Sequence, residues 1–247
     1  MSAYFITGTG TDIGKTWLSC SLLKYWRAAG LTTRAYKPVL SGFDANNAVA
    51  SDAGQLLAAQ GIEVNANTVD EIAPSRFAAP LSPDMAAALE RREINFNELV
   101  SFTQQRCSRE FAMYRIAPAQ RVGSAMPTLH NNSNSQVDRT IVEGVGGVMV
   151  PLDESHTVRD WIAASNLPCI LVAGSYLGSI SHTLSALAAL REVNVEVKAI
   201  AVNESLASSV MLADTIVSLQ RHAKGIAIVG ILRDAPEIGI ATLAAMR

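Results

Sequence analysis

From Gly8 the chain reads Gly8-Thr9-Gly10-Thr11-Asp12-Ile13-Gly14-Lys15-Thr16, a run of glycines and hydroxyls that ends in a lysine. These residue types in this order suit a polyphosphate. Glycines let successive backbone N–H groups turn inward around phosphate oxygens, an ammonium at Lys15 reaches the β and γ positions, and the Thr16 hydroxyl is a ligand for Mg2+. Five residues separate Gly8 from Gly14, one more than in the usual phosphate loop. A Gly/Thr-rich turn without chemistry is the alternative. The strand pattern before the run and the helical pattern after it favour the phosphate loop.

A magnesium ion bound beside a triphosphate takes octahedral oxygen ligation with only one or two protein carboxylates. Two acids are placed to supply them. Glu143 ends the apolar run Thr140-Ile141-Val142 and precedes Gly144-Val145-Gly146-Gly147, which puts its carboxylate at the C-terminal edge of a strand, where open α/β sheets bind ligands. Asp52 follows Ser51 at the start of a helical pattern, where capping of the helix is the competing explanation. Lys37 closes the strand pattern Thr33-Arg34-Ala35-Tyr36 ahead of Pro38-Val39 and Ser41-Gly42. A solvated strand-end lysine is the ordinary case; beside Lys15 it would suit an anionic substrate or charge on a transferring phosphoryl group.

To bring these groups together, short β-branched runs must alternate with crossover helices, the pattern of a parallel sheet. Strands are expected near 3–7, 33–37, 139–143, 168–173, 197–202 and 226–231. The first helix should start at Gly14, carry Leu18, Leu22, Tyr25 and Trp26 on one face, and stop at Gly30. Further helices fit 51–60, 96–110, 178–192, 208–222 and 236–246. The expected architecture is α/β: a single-domain P-loop NTPase fold over 1–247, with a parallel sheet and helices on both faces. The segment 107–138, with its polar run His130 to Gln136, shows no sustained period and reads as a long loop insertion.

Nearly half of the 247 residues (49%) are apolar, enough for one substantial core without metal or disulfide staples. No apolar run approaches the roughly 20 residues that cross a bilayer. The start of the sequence lacks a basic, apolar leader pattern, so the expected address is cytoplasmic. Cys20, Cys107 and Cys169 lack zinc-site spacing and read as reduced thiols. A net charge of -2 without a dense basic block argues against a nucleic-acid surface, and no membrane partner is expected.

Taken in order, the motifs resemble those of the dethiobiotin synthetase family. They are Gly8-Thr9-Gly10-Thr11 with Gly14-Lys15-Thr16, Tyr36-Lys37-Pro38-Val39 with Ser41-Gly42, Ser51-Asp52, Ala79-Pro80-Leu81-Ser82-Pro83, Glu143-Gly144-Val145-Gly146-Gly147, Leu177-Gly178-Ser179-Ile180-Ser181-His182 and Val202-Asn203. The resemblance implies an ATP- and Mg-dependent ligase that converts 7,8-diaminopelargonate and carbon dioxide to dethiobiotin in biotin biosynthesis. One amine captures carbon dioxide as a carbamate, the carbamate attacks the γ-phosphate, and the second amine closes the ring as phosphate leaves.

It also implies roles for individual residues. Thr16, Asp52 and Glu143 would hold Mg2+, while Lys15, Lys37 and Thr11 would act on the reacting groups. ATP would meet Asp12, Ile13, Gly14, Lys15, Thr16 and Trp17, and further Gly144, Val145, Gly146, Asn203 and Glu204. Substrate would meet Thr11, Lys37, Ser41, Gly178 and Ser181, the last two across a homodimer interface. A helix start at Gly178 offers free N–H groups to a carboxylate, with ordinary capping by Ser179 as the alternative. Asp84, Tyr176, Ser181 and Leu232-Arg233 depart from the residues usual in the family.

Two other classes share the loop: ATPase switches of the partition and septum-positioning type, and nucleotide-binding homologues without this turnover. The switches place a signature lysine where this chain has Gly10.

Overall fold

The computed structural model describes residues 2–108 and 137–246. Six parallel strands form the central sheet in the order β2-β5-β1-β6-β7-β8. They are β1 (Ser2–Gly8), β2 (Thr33–Tyr36), β5 (Arg139–Glu143), β6 (Cys169–Gly174), β7 (Val197–Asn203) and β8 (Ala227–Ile231). All six coincide with expected strands. The interior strands are covered on both faces, so they read as nearly unbroken apolar runs, and every residue of β6 is buried.

Alternate side chains serve opposite layers. Tyr4, Ile6, Ile170, Val172, Ala199 and Ala201 pack into one core with helices α1 (Lys15–Ala28), α2 (Asp52–Gln60), α3 (Ala66–Ile72) and α9 (Glu237–Ala244). Phe5, Leu171, Ala173, Ile200 and Val202 pack into the other with α4 (Pro83–Leu89), α5 (Phe96–Cys107), α6 (Val158–Ser165), α7 (Ser179–Glu192) and α8 (Leu212–His222). The period of two along each strand thus produces the helix–sheet–helix layering.

The elements that escaped the sequence patterns are short. A second parallel pair, β3 (Val39–Ser41) and β4 (Ser75–Phe77), a 3-10 turn over Ala45–Ala50, and the helices α3, α4 and α6 each span eight residues or fewer. Three residues cannot display alternation and two helical turns barely display a face, so tertiary contacts decide these segments. The helix expected from 208 begins at Leu212 because Met211 is extended, and the one expected to reach 110 ends at Cys107. Most of the expected loop over 107–138 lies outside the described residues.

Two contacts place the residues that matter for chemistry. β2 lies at the sheet edge, and its exposed ladder groups are met by Gln60 of α2, whose Oε1 accepts from Ala35 N–H at 2.9 Å. That fixes the strand leading to Lys37. The start of α2 is pressed against the 3-10 turn, so that a Cβ on Gly54 would overlap the carbonyl oxygens of Ala48 and Val49. Gly54→Ala is therefore expected to destabilise the protein by about 1–3 kcal/mol, measured by denaturant unfolding, because backbone must yield.

Among the described residues, no helix is long and apolar enough to cross a membrane. The three cysteines are unpaired, and burial pushes each thiol up to about 12, which leaves them inert at neutral pH.

Candidate active site

The loop after β1 wraps back over its own helix. Gly14 has φ +90°, and a Cβ there would sit 2.5 Å from Asn203 Nδ2, so glycine is demanded twice over. Asn203, at the end of β7, donates through Nδ2 to Ile13 O at 2.7 Å and ties the loop to the sheet. That bond orients the amide and leaves Asn203 Oδ1 buried without a partner among the described residues. Lys15 donates to Gly10 O at 2.7 Å, so its ammonium lies across the mouth of the loop.

Beneath the loop, four side chains from four elements converge. Glu143 is fully buried, and its Oε1 accepts from Thr16 Oγ1 at 2.6 Å and from Lys37 Nζ at 2.8 Å. Lys37 also donates to Gly144 O at 2.8 Å and lies 3.1 Å from Asp52 Oδ2. The competing explanation for Asp52 falls away here, because Ser51 is the cap: its Oγ accepts from Gly54 N–H at 3.1 Å. Asp52 is left free to face the lysine.

The charges in this cluster tune one another. Burial draws Lys15 down to about 8, helped by Lys37, against the opposing pull of Glu143, Asp52 and Asp12. Burial also works against the charge on Lys37, yet Glu143 and Asp52 outweigh it and hold its pKa above the usual lysine value. For Asp52, burial would raise the pKa, but Lys37, Thr16 and Lys15 keep it below the ordinary carboxylate value. Among the described residues Glu143 Oε2 has no hydrogen-bond partner, a buried and unsatisfied acceptor at the point where Thr16 and Asp52 also present oxygen. Such a set, two carboxylates and a hydroxyl, suits a hard cation that retains several waters.

Two cavities flank the loop. One, of about 730 Å³, is bounded by Ile13, Gly14, Asn203 and Glu204 with Tyr176, Leu206, Leu232 and Arg233 on its outer wall. The other, of about 940 Å³, is bounded by Lys15, Thr16, Lys37, Ser41, Asp52 and the Val145-Gly146 turn, and is closed by Pro80, Leu81, Ser82 and Pro83. Thr11, Asp12, Gly14 and Trp17 border both. Thus every expected site residue lies on or directly beneath these walls except Gly178 and Ser181, which line neither.

At the start of α7, Gly178 itself is the cap residue, in left-handed conformation with φ +97°, and Ser179 caps nothing. Its Oγ is buried without a partner among the described residues.

A family described as an AAA domain matches residues 2–241. A protein of Acidiphilium cryptum called ATP-dependent dethiobiotin synthetase BioD is 46% identical over 223 residues, covering 90% of this chain and 88% of its own. A protein of Phenylobacterium zucineum with the same name is 41% identical over 229 residues, covering 92% of this chain and 87% of its own. The chain belongs to the dethiobiotin synthetase family. The fold has wider kin: the Aquifex aeolicus MinC:MinD cell division complex (TM-score 0.51, 9% identity, 99% of this chain and 86% of that one) and apo McdA of Cyanthece (TM-score 0.51, 12% identity, 98% and 93%). At such identities the likeness concerns the fold alone.

Within this dethiobiotin synthetase family member, motif reading had singled out Tyr176, Glu204 and Leu232-Arg233 on the wall of the smaller cavity but missed Ser205 and Leu206, and Ser175 that holds them. Ser175 N–H donates to Ser205 Oγ and Ser205 N–H donates to Ser175 Oγ, both at 3.0 Å, clasping the loops after β6 and β7. Glu204 Oε2 accepts from Arg233 N–H at 2.9 Å, which joins the end of β7 to the end of β8. The available signal was positional, since all these residues follow the C-terminal ends of adjacent parallel strands.

Proposed function

We propose that this protein is an ATP-dependent dethiobiotin synthetase, which closes the ureido ring of dethiobiotin from 7,8-diaminopelargonate and carbon dioxide while ATP becomes ADP and phosphate. The observation that carries the reading is the Thr16–Glu143–Lys37–Asp52 cluster, set where the phosphate loop meets the larger cavity. A nucleoside in the smaller cavity would run its phosphates over Gly14 and Lys15 toward that cluster. Asn203 Oδ1, the free acceptor on that wall, suits the exocyclic amine of adenine.

In the larger cavity, Thr11 and Ser41 would orient the diamine, and Lys37 would neutralise the carbamate formed when one amine captures carbon dioxide. The carbamate oxygen then attacks the γ-phosphorus and ADP departs. The second amine attacks the carbonyl carbon of the resulting anhydride, the C–O bond breaks, and phosphate leaves with the ring closed. Positioning and charge neutralisation by Lys15 and Lys37 supply most of the catalysis in such a scheme. Thr16, Asp52 and Glu143 would hold Mg2+, which when bound neutralises charge on the β- and γ-phosphates. Asp12, Trp17, Val145 and Gly146 shape the walls, and Glu204 acts by holding Arg233 rather than by facing ligand alone.

Gly178 and Ser181 fit the scheme if the enzyme is a homodimer, with the first turn of α7 receiving the carboxylate tail of a substrate bound mainly by the partner. Leu177 beside them is 85% exposed, in keeping with a covered position in a dimer. The unpaired cysteines accord with a cytoplasmic address.

Incubation with 7,8-diaminopelargonate, bicarbonate, Mg2+ and ATP should yield dethiobiotin detectable by mass spectrometry. Failure to form it, in protein that binds ATP, would return the chain to a nucleotide-binding role. The Lys15 pKa of about 8 gives a second expectation. A bound β-phosphate favours the charged lysine, so ADP binding takes up a proton at and above that pH. In the presence of a chelator, ADP affinity should weaken as pH rises past about 8, approaching tenfold per unit. Calorimetry in buffers of different ionisation enthalpy measures the uptake, and Lys15→Arg, which stays charged, should flatten the profile.

A further inference from the structure

Trp17 is an anomaly among the three tryptophans. Trp26 and Trp161 are 2% and 0% exposed, and their indole N–H groups donate to Ala244 O and Thr103 Oγ1. Trp17 is 44% exposed, and its N–H has no hydrogen-bond partner among the described residues. It stands off the buried stripe of α1, which runs through Leu18, Leu22 and Trp26, in a position where an amphipathic helix ordinarily carries a polar residue. Packing of the core therefore gives no reason for an indole there.

Its location gives one. Of the residues that border both cavities, Thr11, Asp12 and Gly14 belong to the phosphate loop, and only Trp17 presents a large apolar face. An indole suits ligands that are part apolar and part polar, because the ring offers area and the N–H a directed donor. We infer that Trp17 is a wall shared by the two ligands, packing against the nucleoside on one side and the aliphatic chain of the diamino acid on the other, and that it couples their binding.

The inference rests on the proposed reaction for the identity of the second ligand. The coupling is positive for a simple reason. Whichever ligand arrives first restricts the indole to one rotamer, so that ordering the same side chain against the second ligand costs less.

The test uses acrylamide quenching of tryptophan emission in the wild-type protein, with ADP, with 7,8-diaminopelargonate and with both. Since the other two indoles are buried, quenching reports Trp17. Each ligand alone should lower the quenching constant, and the diamine should tighten ADP binding by about fivefold or more. Trp17→Phe should retain most of that tightening and Trp17→Ala should lose it. Protection by one ligand only, by neither, or unchanged coupling in Trp17→Ala would overturn the inference. The wild-type quenching arms stand even where a variant fails to fold. A protein that forms dethiobiotin yet leaves its indole equally quenchable would discard the shared wall and keep the reaction; absence of dethiobiotin would remove the reading beneath both.

Discussion

Lys15→Ala is expected to reduce ATP-dependent turnover by about 100- to 1,000-fold, the usual cost of removing one pre-positioned donor to developing charge. Lys15 is buried, lies across the mouth of the loop through its bond to Gly10 O, and lines the larger cavity. Replacement by alanine removes the cation and leaves the loop's backbone donors in place, so nucleotide binding should weaken less than the rate falls. The fold should persist, because a lysine whose pKa is drawn down by burial adds little to stability at neutral pH. Steady-state kinetics with thermal unfolding separates the two effects. Wild-type turnover in the variant would sink the assignment of the loop to phosphate.

Lys37→Gln should act on both rate and stability. The wild-type ammonium answers a fully buried carboxylate at 2.8 Å and a second one at 3.1 Å. Removing one partner of such a buried pair leaves an uncompensated charge, which costs about 3–5 kcal/mol. Turnover should fall by about 100-fold with little change in the KM for ATP, since the proposed partner is the carbamate and the transferring group.

The acid limb supplies a further check. Lys37 is the strongest of the influences that hold Asp52 below its usual value of 3.8, so in the wild type that contribution is present above 3.8 and lost as pH falls below it. In the variant that acid-side loss should shrink. Denaturant unfolding at neutral pH and near pH 3 measures both, and a variant with normal turnover and stability would return Lys37 to the solvated lysines.

The sequence by itself determined the local parts of this protein. The glycine–hydroxyl–lysine run predicts a phosphate loop because its chemistry lies within nine consecutive residues, Gly8 to Thr16. The six long strands were legible because strands buried on both faces must be apolar along their length, as all of β6 is. Lys37, Asp52 and Glu143 could be named as candidates from their places at strand and helix ends.

Their roles were open until the chain folded. Whether Asp52 caps α2 or faces Lys37 depended on Ser51 taking the cap, and that in turn on a 3-10 turn that only Gly54 admits. The walls formed by Tyr176, Ser205, Leu232 and Arg233 come from three separate loops, and Gly178 and Ser181 fall outside both cavities of their own chain. The physical reason is separation along the chain. Thr16 meets Glu143 across 127 positions and Lys37 meets it across 106, and no local pattern encodes such distances. They are set by the order of the strands, which inserts β5 between β1 and β2 and so carries Glu143 beneath the loop and beside the lysine.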